Sequence, residues 1–528
     1  DGLHDLRDLV ARGERVHLIE DTDGDGVADS TKVFAEQLDH LLGGVAGGVL
    51  WHEGEVFVCP VPELVKFRDT DGDGVADEKE VLVSGFGVHL AYAAHDMHGL
   101  TVGPDGRLYW SIGDKGIRVK TADGLDYRFP HQGGLMRCEP DGSNFEVFAR
   151  GQRNIQEVAF DAHGNFFGVD NDADFAGEKE RFVHIEQYTD LGWRSHWQYL
   201  RADYNPWDDE AMHVPWHEDQ PRWFTPPLVL YENGPAGFKY NPGTALGPEY
   251  EGFFFLTSAP NGQQWAFRAE PRGDSFAMVA DHKIGDGIPL VGLQFSPDGA
   301  LCGVDWGGGY PLNENGAVWR IDVAKEKAHP LREETRQLIA ADFGEEGMVP
   351  LQTLLGHADQ RVRLKAQLEL AKREALTELQ SVAAEVSAPG LARLHAICGI
   401  GQLLRKGKAD DTLLAALFDD PDPEVRAQAI KTATDRHGRL IGLDIVPPPT
   451  GESHALTAAL LPKLDDPSQR VRIQALLGLG RLRDPAASGA IVKRLARKEH
   501  HVGLTYLRHA GIVALAGASP TADLAALA

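Results

Sequence analysis

Two residue patterns in this chain have the types and spacing to do chemistry. The first is a repeated carboxylate loop, Asp21-Thr-Asp23-Gly-Asp25-Gly-Val-Ala-Asp29, which returns as Asp69-Thr-Asp71-Gly-Asp73-Gly-Val-Ala-Asp77. Alternating Asp residues with a Gly at the turn let a short loop fold its oxygens around one hard cation, so each copy is expected to hold Ca2+. The twelfth position is Lys32 in one copy and Glu80 in the other, so only the second could add a distal carboxylate. The expected role is structural: the ion pins a turn. The second pattern is dispersed over three segments: His95-Asp-Met-His98, Gly-Gln-Arg153-Asn154-Ile-Gln156 and Asp170-Asn171-Asp172-Ala-Asp174. A histidine, an Arg-Asn pair and a carboxylate-rich loop meeting at one point would suit an anionic ligand bridged by a metal.

The elements that must bring those segments together are short strands. Residues 1 to about 325 repeat one phrase, an apolar alternation, a small-residue turn and another strand, as in GLTVGPDGRLYWSIGD (99–114), VAFDAHGNFFGVDND (158–172) and LQFSPDGALCGVDWGGG (293–309). Weaker copies occur at 47–60 and, with an insertion, at 237–258. Each phrase reads as a hairpin, and each is followed by a further strand ending in a polar turn. Strand quartets recurring at this interval are what a β-propeller blade requires. Five inner hairpins are visible, and the residues before 40 read as the outer half of another blade, so six blades are expected over 1–328. A propeller places its site on the central axis, where loops joining inner strands converge.

After residue 345 the texture turns Leu- and Ala-rich with helical periodicity. Arg recurs at 363, 393, 426, 472 and 508 in a shared context, often after an Asp-Pro turn that would cap a helix. Residues 345–528 are therefore expected to form an all-α solenoid of HEAT type, joined by a linker at 329–344, with each Arg bonding a neighbouring turn. Such a solenoid could also dock a protein partner.

Charge divides the chain the same way. The formal net charge is −27. From Glu345 onward basic residues outnumber acidic ones 23 to 21, whereas the first 344 residues hold 29 basic against 58 acidic. So acidic a surface argues against nucleic acid or an anionic membrane as partner, since both are polyanions. No run of about 18 apolar residues appears. The four cysteines (59, 138, 302 and 398) are too scattered for a disulfide framework and read as free thiols. No CxxCH occurs, so no haem is expected in this chain. The chain opens at Asp1 without a charged-then-apolar leader, as a processed or trimmed chain would.

The series His95-Asp-Met-His-Gly-Leu-Thr-Val-Gly-Pro-Asp-Gly-Arg-Leu-Tyr-Trp-Ser-Ile-Gly-Asp, followed by Gly-Gln-Arg153-Asn154-Ile-Gln156, resembles the soluble quinoprotein glucose dehydrogenase and sorbosone dehydrogenase propellers. The chain as a whole is similar to the planctomycete-type membrane-bound dehydrogenases, in which such a propeller precedes HEAT repeats and a haem domain. The resemblance implies His95 as general base, with Arg153 assisting catalysis. It also implies Arg153, Asn154, Gln156 and Asp172 as contacts for pyrroloquinoline quinone (PQQ), and an axial Ca2+ near Asp170 and Asp172. Two positions depart from the family: Glu157 and Asp172 each stand where the quinoproteins have Gly. Lys239 and Arg268 are candidates for its later-blade cofactor contacts.

The implied function is oxidation of a sugar or alcohol hydroxyl. His95 would take the hydroxyl proton while hydride leaves the adjacent carbon, and electrons would pass to a c-type cytochrome domain or protein. The implied setting is the periplasm or cell envelope. Two other readings fit the residues. One is a calcium-dependent lactonase-type hydrolase, drawing on Asp170–Asp174 and Asp305. The other is a non-catalytic propeller–solenoid scaffold binding glycan or protein.

Overall fold

The computed structural model describes residues 14–36, 38, 45–88, 94–171, 180–194, 225–307, 315–438, 454–497 and 505–519. Five antiparallel sheets succeed one another along the chain. The first blade is β3 (Ala46–His52), β4 (Glu55–Pro60), β5 (Glu63–Arg68) and β6 (Glu78–Ser84). The second is β7 (Met97–Val102), β8 (Leu108–Ile112), β11 (Gly133–Cys138) and β12 (Glu146–Gln152), with a small hairpin, β9 (Ile117–Lys120) and β10 (Asp126–Phe129), inserted between its strands. The third is β13 (Ile155–Phe160), β14 (Phe166–Asp170), β15 (Glu180–Ile185) and β16 (Val229–Tyr231). The fourth is β17 (Pro235–Tyr240), β18 (Phe254–Ser258), β19 (Gln263–Arg272) and β20 (Ser275–Asp286). The fifth is β21 (Leu290–Phe295), β22 (Leu301–Asp305) and β23 (Ala317–Ile321).

Each sheet meanders outward from its first strand, and the first strands stand side by side: β3 with β7, β7 with β13, β13 with β17 and β17 with β21. That is a propeller with its inner strands around one axis. Between blades the core is aromatic; Phe167, Phe182, Phe238, Phe254 and Phe267 fill the gap between the third and fourth. The expected count of six blades is corrected to five among the described residues. The early residues do form a hairpin, β1 (Val16–Glu20) with β2 (Ser30–Ala35), but among the described residues these two strands pair only with each other. Their apolar side chains Val16, Phe34 and Ala35 pack against the first blade's Val58, Val65 and Phe67. An outer hairpin was thus legible, but not the inner strands that would complete a blade.

The rest is helical: α1 (Arg332–Ala340), α2 (Met348–Leu354), α3 (Gln360–Lys372), α4 (Leu376–Ala384), α5 (Gly390–Arg405), α6 (Pro423–Thr434), α7 (Ala455–Leu460), α8 (Gln469–Leu482), α9 (Ser488–Leu495) and α10 (Thr505–Ala518). The segment 329–344, expected as a linker, contains α1. Arg332 holds α1 to the fifth blade through Asp322, at 2.7 and 2.8 Å. Side chains of Asp359, Asp422 and Ser468 cap α3, α6 and α8, as their position before each apolar run dictates. The recurring arginines bond turns and stitch neighbours together: Arg363 reaches the His357 and Ala358 carbonyls, Arg393 pairs with Asp420, and Arg426 pairs with Asp466. All four cysteines are free thiols.

The helices are docked on the propeller at the hairpin-turn end of its inner strands. Gln367 donates to the Pro104 carbonyl at 2.9 Å, Thr244 to Asp359 at 2.7 Å, and Arg361 to the Ser296 carbonyl at 2.8 Å. Gly243, in the fourth blade's turn, has φ +123°, and a Cβ there would lie 2.2 Å from the Ala358 carbonyl oxygen. Glycine therefore serves the turn and the docking together. Further out, Asp435 after α6 accepts from Arg107 and Arg137 at 2.5 and 2.8 Å, Arg405 bonds Glu139, and Arg481 reaches Gln187. All of these are buried or nearly so. Burial pushes the Asp435 carboxyl up, but Arg107, Arg137 and Arg405 more than offset this and hold it well below the usual carboxylate range.

Candidate functional site

The opposite end of the inner strands gathers the dispersed residues. His95 stands two residues before β7, and Gly113-Asp114 follow β8, the strand paired with β7. His95 Nδ1 lies 2.7 Å from Asp114 Oδ1, and Trp193 Nε1 donates to Asp114 Oδ2 at 3.2 Å. His95 is 2 % exposed, and Asp114 and Trp193 are fully buried. Burial pushes the Asp114 carboxyl up, but the His95 hydrogen bond and charge, with Arg153 and Trp193, outweigh it and hold the group below its ordinary value. A carboxylate accepting from Nδ1 fixes the ring proton there and makes Nε2 the basic nitrogen. Gly113 permits this approach: a Cβ would come within 2.8 Å of both His95 Cβ and Asn154 Oδ1.

Arg153 and Asn154 join β12 to β13 and lock into the same cluster. The Arg153 carbonyl accepts from the Asp114 amide at 2.8 Å, and Asn154 Nδ2 donates to the Ala94 carbonyl at 3.1 Å. The buried Arg153 guanidinium lies 5.8 Å from the Trp193 ring centroid and donates to Asn171 Oδ1. Asn154 Oδ1 is buried and has no hydrogen-bond partner. Gln156 lies half-buried on β13. His95, Arg153, Asn154 and Asp170 are thus brought together as the sequence expects. Asp172 lies outside the described residues.

Asp170 departs from its expected role. Its carboxylate accepts from the backbone amides of Arg153 and Asn154, at 3.1 and 2.8 Å, and pairs with the fully buried Arg181 at 2.5 Å. It is an anchor for the Arg-Asn loop, and a cation would have to displace a guanidinium to reach it. Asp305 is likewise engaged, by Gly307 N at 2.7 Å and Trp319 Nε1 at 2.9 Å. Lys239 and Arg268 do not join the cluster. Lys239 faces Glu157 at 3.7 Å, and Arg268 stacks on Phe253 at 5.2 Å. Glu157, which stands where the quinoproteins have Gly, is built into the axis. Its carboxylate accepts from Phe238 N at 2.7 Å and Leu293 N at 3.4 Å, tying three inner strands together. Beyond it, a cavity of about 220 Å³ is lined on the helix side by Gln360, Arg361 and His395.

Two residues of the site were missed. Asp114 sits in the Ile-Gly-Asp phrase, where a carboxylate one strand from a histidine was the available signal. Trp193 carried no signal at all.

The Asp loops form as the spacing implies, with a difference. Carboxylate oxygens of Asp21, Asp23 and Asp29, and of Asp69, Asp71 and Asp77, come within 4.8 Å of one another. Asp25 and Asp73 stand outside these groups; each accepts from the backbone two residues on, at 2.7 and 2.8 Å. The Thr22 and Thr70 hydroxyls hold Asp29 and Asp77 below their ordinary values. Glu80 pairs with Lys66 at 3.1 Å, and Lys32 instead donates to the Asp73 carbonyl, linking the two loops.

Residues 3–206 match a family described as a domain of unknown function, DUF7133. No curated protein matches the chain. Among solved structures it is similar to a glucose dehydrogenase at 15% identity and TM-score 0.44, covering 59% of this chain and 91% of that one. It is similar to a putative oxidoreductase (glucose dehydrogenase) from Thermus thermophilus at 18% identity and TM-score 0.39, covering 55% and 87%. A PQQ-bound aldose sugar dehydrogenase from Streptomyces coelicolor matches at 16% identity and TM-score 0.36, covering 52% and 80%. At these identities and scores, function has to be read from the site itself.

Proposed function

We propose that the chain is an oxidoreductase of the quinoprotein type, oxidising a sugar or alcohol hydroxyl. The observation that carries this is the buried His95–Asp114 pair set against the Arg153–Asn154 loop. His95 accepts the hydroxyl proton at Nε2; Asp114 holds the tautomer and stabilises the charged ring that results. Asn154 Oδ1, a buried acceptor without a donor, fits a bound group bearing an N–H or O–H, and Arg153 beside it fits one bearing negative charge. PQQ has such groups, and when bound it supplies a two-electron acceptor for hydride. No step is routed through an axial calcium, because Asp170 is engaged by Arg181.

The two Asp loops are proposed to bind Ca2+ as turn clamps, and a c-type cytochrome to take the electrons. The helical region is proposed as a HEAT-type solenoid, the whole as a planctomycete-type dehydrogenase of the periplasm or cell envelope. No helix among the described residues is long and apolar enough to cross a membrane.

The test is dye-linked oxidation of a sugar and alcohol panel by protein loaded with PQQ and Ca2+. His95→Ala is expected to lose at least about a hundredfold in rate, and Asp114→Asn somewhat less, with thermal midpoints close to that of the parent. Undiminished turnover in His95→Ala removes that residue from the mechanism. A loaded parent protein that oxidises nothing on the panel points to the scaffold, and lactone hydrolysis without quinone points to the hydrolase.

A further inference from the structure

The helical region holds a side-chain cluster that the proposed oxidation does not use. Asp411 opens the short 3-10 segment Asp411–Asp419, His437 follows α6, and His454 stands at the start of α7. One potential ligand atom from each lies within 4.8 Å of the other two. Asp411 is 4 % exposed. Its Oδ2 is hydrogen-bonded to His437 Nε2 and lies 3.9 Å from His454 Nε2, and the two imidazole rings meet edge to face with centroids 4.5 Å apart. A hydrogen bond accounts for His437. His454 caps the helix through Nδ1, while its Nε2 lies near the same oxygen but beyond bonding distance.

We propose that Asp411, His437 and His454 form a binding site for a divalent cation of the zinc class. Two neutral imidazoles and one carboxylate are a borderline donor set, unlike the all-oxygen Asp loops, and they select Zn2+ or its neighbours over Ca2+. Bonds of about 2.0–2.2 Å to each donor in tetrahedral array separate the donors by roughly 3.4 Å, within the spread seen here. Water completes the fourth position. Two neighbours set the terms of binding. Arg436 approaches Asp411 Oδ2 at 3.3 Å, and its side chain, 32 % exposed, must swing outward to make way. His454 Nδ1 accepts from Leu456 N at 3.2 Å, a bond exchanged for the metal because an imidazole ligating through Nε2 carries its proton on Nδ1. Occupied, the site clamps the end of α6 to the start of α7 and to the 3-10 segment.

The probe is Co2+ added to the full chain in excess Ca2+, which keeps the Asp loops filled. One equivalent is expected to bind with the intense visible band of a low-coordinate nitrogen–oxygen site, and Zn2+ to displace it and raise the thermal midpoint. His437→Ala and His454→Asn should each weaken binding at least about tenfold. Asn retains a helix-capping side chain while removing the ligand, so a His454→Asn protein with unchanged circular dichroism keeps the test sound if His437→Ala does not fold. No visible band in the parent, or an undiminished one in a folded variant, overturns the site.

Discussion

At one end of the inner strands, His95 is hydrogen-bonded to a buried carboxylate, with Arg153 and Asn154 alongside. At the other end, His184 and His395 are equally buried but hydrogen-bonded to the Ser275 hydroxyl and the Gln367 amide oxygen, at 3.1 and 2.8 Å. The contrast continues in the ionic groups. Asp435, Arg107 and Arg137 satisfy one another beneath the helices, where His184 Nε2 and Gln474 Oε1 nonetheless lack partners, whereas the unpartnered Asn154 Oδ1 stands beside a histidine–carboxylate pair. Buried polarity that closes on itself holds a fold together. An open acceptor beside a histidine–carboxylate pair is where a ligand finds its bonds. The helix-covered end should therefore respond to mutation through stability, and the His95 end through turnover.

The largest effect is expected at Asp435. Asp435→Ala takes one carboxylate from Arg107 and Arg137, which keep Asp105 and Glu146, and should cost about 2–4 kcal/mol in chemical unfolding, with turnover per folded molecule unchanged. A loss below about 1 kcal/mol would mean the helices sit loosely and the contrast is overdrawn.

Next comes acid. Burial pushes His184 down to about 4 and His395 down to about 3, so both are neutral in the fold. The unfolded chain takes up a proton at each below its ordinary value of 6.5. Stability is then full above that pH and falls as pH drops toward about 4, by about 1.4 kcal/mol per pH unit for each histidine. Urea unfolding between neutral pH and 5 reads this slope, and His184→Phe should remove about one proton's share of it. An unaltered slope would show that His184 does not stay neutral in the fold.

The smallest effects come from a pair of glycines. Gly243→Ala, facing Ala358, should cost about 1–3 kcal/mol through strain and disturbed docking. Gly113→Ala, facing His95 and Asn154, should lower turnover up to about a hundredfold by shifting the base, with less effect on unfolding. Reversed outcomes would break the division between the two ends.

What could be read from the sequence follows the range of each interaction. The Asp loops were legible because all their donors fall within nine consecutive residues, and the strand quartets because each turn announces itself locally. Arg363, Arg393 and Arg426 were legible for the same reason, as each lies in a copy of one local phrase. Among the described residues the sixth blade is not completed: β1 and β2 have a blade's outer pattern, but pairing with inner strands is a tertiary fact. Asp170 was assigned to a metal because nothing near it in sequence discloses Arg181, which arrives from the adjacent strand. Asp435 lies 298 residues from Arg137 and 328 from Arg107, so no local pattern foretells that network. The helix in the expected linker was missed because its polar run, Arg-Glu-Glu-Thr-Arg-Gln, looks like solvent-exposed chain until Arg332 meets Asp322.

The cavity lined by Gln360, Arg361 and His395 also takes side chains from all five inner strands, from Leu50 on β3 to Phe295 on β21. Whatever fills it touches every blade and the helices together. Its occupancy is then read as a shift in how firmly propeller and helices hold together.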